Sequence, residues 1–130
     1  MRPHELATWI AILGIVSASN LPRQAKAQFE CRLAPGAGSY SFSADTVQWQ
    51  MGIRAGQSCV RGFRQYDATI RDVKTITPPQ SGELSFEGTA FYYKAASDFR
   101  GTDSFAFSVS GERRGISGMS TIRVVVSVMK

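Results

Sequence analysis

Histidine is nearly absent from this 130-residue chain, and the one example, His4, lies in an N-terminal segment that is expected to be removed. A Ser-His-Asp or Cys-His mechanism therefore has no base to draw on, and a histidine-ligated zinc or copper site has no ligand. Asparagine is as scarce, with Asn20 alone, and cysteine is limited to Cys31 and Cys59. The N-terminal apolar run, Leu6 to Val16, is uncharged but too short to cross a bilayer comfortably. No glycine motif of the kind that cradles a phosphate follows a strand and opens a helix, so nucleotide binding has no support. No catalytic, cofactor or metal site is expected.

What is present at the N-terminus points to export. Arg2 precedes the apolar run, a polar stretch with Pro22 follows it, and Ala25-Lys26-Ala27 supplies the small residues that a signal peptidase requires before its cut. Residues 1–27 are read as a signal peptide cleaved after Ala27, with Ala18 as the second choice, and residues 28–130 as one domain in the periplasm or outside the cell. No stable membrane span is expected after cleavage. Arg2, Arg23 and Lys26 leave with Glu5, so the net charge falls from +5 to +3. The remaining cations, among them Arg54, Arg61, Arg64, Arg71 and the pair Arg113-Arg114, are interspersed with acids. That scatter fits solvated strand faces better than a nucleic-acid footprint, which concentrates its charge.

In an oxidising compartment the two exported cysteines are expected to pair. The bridge would close a loop of about 29 residues, for which chain entropy predicts roughly 3 to 4 kcal/mol of stabilisation.

From Phe29 onward apolar residues alternate with period two between turn signals, and no stretch longer than one turn has helical spacing. The pattern predicts strands over Phe29–Leu33, Ser39–Ser43, Val47–Ile53, Ala68–Thr77, Glu83–Phe86, Ala90–Lys94, Ser104–Ser110 and Ser120–Val128. Pro35-Gly36, Pro78-Pro79 and the glycines, including Gly111, Gly115 and Gly118, are read as the punctuation between them. Seven or eight short strands without helices predict an all-β, Greek-key, immunoglobulin-like β-sandwich. Within it Trp49 shares a face with Val47 and Met51 and is assigned to the core, whereas Tyr40 and Tyr92 are expected to point away from it.

Glu83 and Glu87 are the visible carboxylate pair for hydrolytic chemistry. In an extended strand they share a face about 13 Å apart, beyond the ~5 to 9.5 Å that glycosidases use. Asp67 and Asp72, at an odd separation, would fall on opposite faces of a continuous strand. An enzymatic role is not expected.

The segment Tyr93 to Phe105, with Phe99, Gly101, Asp103 and Phe105 at fixed spacing, resembles the signature of bacterial cadherin-like, immunoglobulin-like repeats. Pro79 to Leu84 upstream and Met119 to Val128 downstream are similar to the same pattern, which covers roughly Thr75 to Val128. The resemblance implies a non-enzymatic domain that works by protein or cell-surface association, as a single free-standing copy. An inhibitor or carbohydrate-binding accessory is the alternative, so the partner is an unidentified protein or an envelope polysaccharide. The family proline is Ala95 here, and the Asp- and Asn-rich calcium linkers of true cadherins are missing, so calcium is not implied. On physical grounds Gly101 is expected to take a positive φ, Asp103 to accept from amides of its own turn, and Phe99, Phe105 and Tyr93 to fill the core below it.

Overall fold

The computed structural model describes residues 31–34 and 37–130; the expected signal segment, both expected cleavage positions, the Pro35-Gly36 turn and the start of the first expected strand lie outside these residues. The remainder is all-β. The strands are β1 (Arg32–Leu33), β2 (Thr46–Arg54), β3 (Ser58–Gly62), β4 (Ala68–Thr77), β5 (Glu83–Glu87), β6 (Ala90–Lys94), β7 (Gly101–Arg113) and β8 (Ile116–Met129). They form two packed sheets, β1-β2-β8-β7-β4 and β3-β6-β5. Apart from the two-residue β1, four strands face three.

The larger sheet is organised by β8. On one side it pairs antiparallel with β7 from Gly101↔Val128 to Arg113↔Ile116, and on the other it runs parallel to β2. The parallel register sets Trp49 beside Val124, Met51 beside Val126 and Ile53 beside Val128. Side chains opposite each other share a face, so the alternation in both strands delivers one continuous apolar surface, and all six residues are buried. Against it the smaller sheet sets Phe91 and Tyr93. Phe91 meets Phe105 edge-on at 5.3 Å, and Tyr93 stacks on Phe105 at 5.6 Å. Phe63 and Phe86 both reach Phe107 at 5.1 Å, extending the aromatic core toward β5.

Three expectations change. The Ser39–Ser43 segment is not a strand, although Tyr40 and Phe42 in it are fully buried. Its amides are satisfied by side chains instead of a ladder: Tyr40 N–H donates to Gln65 Oε1, Ser41 N–H to Asp45 Oδ2 and Phe42 N–H to Ser120 Oγ. Phe42 and Ala44 take positive φ of 60° and 63°, which no strand permits.

Gly111 and Gly118 are not turns. They face each other inside the β7–β8 ladder. A Cβ on Gly111 would run into the Thr69 carbonyl, and one on Gly118 into the Phe42 carbonyl, so their role is to let neighbouring backbone approach. The reversal falls at Arg114-Gly115, where φ values of 52° and 82° give the two-residue geometry that suits strand twist.

The third change is β3, which runs from Ser58 to Gly62 where no strand was expected. Its pairing with β6 decides it, matching Cys59 to Tyr93 and Val60 to Tyr92.

Candidate functional site

Asp103 is the most enclosed acid among the described residues, at 4 % exposure. It lies on the inward side of β7, one step below Phe105. Oδ1 accepts from the amides of Gln80 and Ser104, each at 2.9 Å. Oδ2 accepts from the amides of Ser81 at 3.2 Å and Gly82 at 3.0 Å, and from the Tyr93 hydroxyl at 2.7 Å. Burial opposes ionisation, but the Tyr93 hydrogen bond and the amides of Gly82, Gln80 and Ser104 outweigh it and hold the carboxyl below its ordinary range. Burial, reinforced by the bond to Asp103 and its charge, pushes the Tyr93 phenol up.

This corrects the expected local cap. Only Ser104 belongs to the segment of Asp103 itself, and the other three amides come from the β4–β5 connection. Gly101 does take the expected positive φ, 130°, and Phe105 is fully buried. Gly82 is obligatory in the arrangement, because a Cβ there would stand 2.5 Å from the Lys94 carbonyl oxygen and 2.6 Å from the Tyr93 ring. Both carboxylate oxygens are occupied, which leaves Asp103 no lone pair aimed at a ligand.

Two further aspartates do the same work at the opposite end of the sandwich, and sequence reading missed both roles. Asp45 accepts from the Ser120 hydroxyl and from the amides of Ser41 and Ser43. Asp67 holds Arg113 at 2.7 Å and Arg114 at 2.9 Å, so the one paired run of cations is partly neutralised. Ser41 and Ser43 beside Asp45 were the available signal, but its partner Ser120 lies 75 positions away, and Arg113 and Arg114 lie 46 and 47 positions from Asp67.

The remaining candidates stay apart. Glu83 and Glu87 stand exposed at the two ends of β5, as expected of residues on one outward face. Glu87 accepts from the Tyr92 hydroxyl at 2.9 Å, which raises the Tyr92 phenol. Asp72 lies on β4, 3.9 Å from Lys74, while Asp67 precedes that strand and faces the hairpin arginines. Trp49 is core, with its indole N–H donating to the Gly38 carbonyl.

Tyr92 is exposed as expected, beside Val60 on the outer face of the smaller sheet. Tyr40 is not: it is fully buried and donates its hydroxyl to the Phe63 carbonyl. Burial pushes its phenol up to about 12. It faces inward because the loop that carries it folds over the end of the core instead of joining a sheet. A cleft of about 190 Å³ opens beside the Asp103 cluster, lined by Gly56, Ser81, Gly82, Glu83, Lys94 and Ala95.

No known family model and no curated protein matches this chain.

The two sides of the sandwich differ. On one, Cys31 beside β1 is bonded to Cys59 of β3, tying the sheets together, and the pair is the one expected. On the other, β4 is hydrogen-bonded to β7 alone among the described strands. It runs for ten residues, of which only Ala68 is buried. Its register slips at Ile70/Asp72 and again at Thr75/Thr77, leaving Asp72 to Thr75 as the regular run.

Proposed function

We propose that the chain is an exported, non-enzymatic association domain with an immunoglobulin-like Greek-key arrangement, related in plan to bacterial cadherin-like domains. Support for the arrangement comes from the parallel β2–β8 pair and from the chain crossing between sheets at β2–β3, β3–β4, β4–β5 and β6–β7. The resemblance over Thr75 to Val128 agrees with it, since its Asp103, Phe105 and Tyr93 meet in one cluster. Folds of this kind host many activities, so the surfaces of this domain carry its function.

The observation that carries the reading is the outer edge of β4, which no other described strand covers. A sheet edge offers unpaired N–H and C=O groups to another chain, and natural domains otherwise keep such edges short or covered. The most enclosed acid is committed to the scaffold, as are Asp45 and Asp67, and this favours binding over catalysis.

A second reading, a carbohydrate-binding accessory, draws on Tyr92 beside Glu87 and on the Glu83–Lys94 pair at the cleft. The test is capture from the envelope fraction of the producing cell with the native domain, Ile76→Lys and Tyr92→Ala in parallel. Ile76 is 52 % exposed on β4, so a lysine there blocks the edge without entering the core. Capture lost in Ile76→Lys and kept in Tyr92→Ala supports the edge. The reverse supports the sugar surface, and no capture by the native domain overturns both.

A further inference from the structure

Resting on the reading of β4 as an association edge, we propose that its partner is a second copy of the same chain, paired antiparallel through β4 about a two-fold axis at Val73. Asp72 and Lys74 flank Val73 in the regular run and sit opposite Ser110 and Ser108 of β7. Both therefore stand on the same outer face, with side chains 55 % and 75 % exposed. An antiparallel ladder centred on Val73 sets Asp72 against the partner's Lys74, and Lys74 against the partner's Asp72. The two-fold makes both contacts at once, as an isologous interface requires. Val73 lies half-buried at the axis, and Ile76 adds exposed apolar surface at each end of the run.

The other edges do not offer this match. Centred on Ser85, β5 would set Glu83 against the partner's Glu87 twice, and like charges directly opposite repel. The β1 edge has two residues, and β3 is a short strand whose Cys59 is held in the disulfide. Charge order thus selects β4 for self-pairing and rejects β5. The two bulges confine the match to Asp72–Thr75, which predicts a weak and specific dimer instead of open-ended edge growth.

Sedimentation of the exported protein over roughly 10 µM to 1 mM should show a monomer–dimer equilibrium, the range expected for a small interface. Asp72→Lys and Lys74→Asp each turn both cross-strand contacts repulsive, and each should weaken self-association about tenfold or more. Mixed in equal amounts the two variants should recover association, because every contact between unlike chains is then attractive. Both positions are exposed, so folding is checked by an unchanged melting temperature. A native chain that stays monomeric throughout, single variants that dimerise like the native chain, or a mixture that does not recover would each overturn the proposal. The two readings fail separately. A monomeric native chain whose envelope capture is lost in Ile76→Lys refutes self-pairing and keeps the edge, whereas a dimer that obeys the charge exchange but captures nothing keeps self-pairing and refutes the envelope partner.

Discussion

Replacing Asp103 with alanine removes five hydrogen bonds at once, four to backbone amides and one to a buried phenol. Gln80 is exposed and Ser81 and Gly82 are half-buried, so water can take over part of the loss there, at about 0.5 to 1 kcal/mol each. Tyr93 has no such recourse at 0 % exposure, and an unpaired buried hydroxyl costs about 1 to 3 kcal/mol. The sum is about 2.5 to 6 kcal/mol, more than the single hydrogen bond to Ser104 in its own segment would carry.

Urea unfolding followed by the fluorescence of Trp49, the buried indole of the core, measures it directly. Tyr93→Phe alone should cost about 1 kcal/mol, and the double variant should cost less than the sum, with a coupling of about 1 to 2 kcal/mol. The sign with pH also follows. Because the folded carboxyl titrates below its unfolded value, its contribution is complete above about pH 4 and is lost as pH falls through the folded value. The gap between the native protein and Asp103→Ala should therefore narrow in acid. An alanine variant within about 1 kcal/mol of native at pH 7, or no coupling to Tyr93, would refute the shared cluster.

Gly118→Ala and Gly111→Ala should each destabilise by about 2 to 3 kcal/mol through forced backbone movement. Gly88→Ala, at φ 61° with no neighbour within 4 Å of the new Cβ, should cost only about 1 kcal/mol in the same unfolding assay. Reducing the Cys31–Cys59 bond, or replacing Cys59 with alanine, should lower stability by about 3 to 4 kcal/mol through the freedom returned to the unfolded loop. Non-reducing peptide mapping should show the two cysteines linked in exported protein. The proposed export predicts that N-terminal sequencing of that material begins at Gln28, and a product retaining Trp9 would refute it.

Alternation, a local property of the chain, decides most of the strand content. It marked β4 to β8 to within a few residues and placed Trp49 inside. The cysteine pair was legible for a similar reason, since two thiols in one domain expected to be exported have few other fates. Local signals misled where one pattern has two structural meanings. Buried Tyr40 and Phe42 alternate like a strand, yet their loop takes its hydrogen bonds from Gln65, Asp45 and Ser120, far away in sequence. Gly111 and Gly118 look like turns, yet they make room for carbonyls of other segments. Asp103 shows in sequence as a turn residue, but which amides it binds depends on where the β4–β5 connection passes. The sequence by itself determined which residues alternate, which can be oxidised and which chemistries have no residues to perform them, because these depend on identity and near-neighbour spacing. Only the tertiary structure decided that β2 lies parallel to β8, that β3 is a strand, and that β4 pairs with β7 alone among the described strands, because each depends on which distant backbone arrives to share hydrogen bonds.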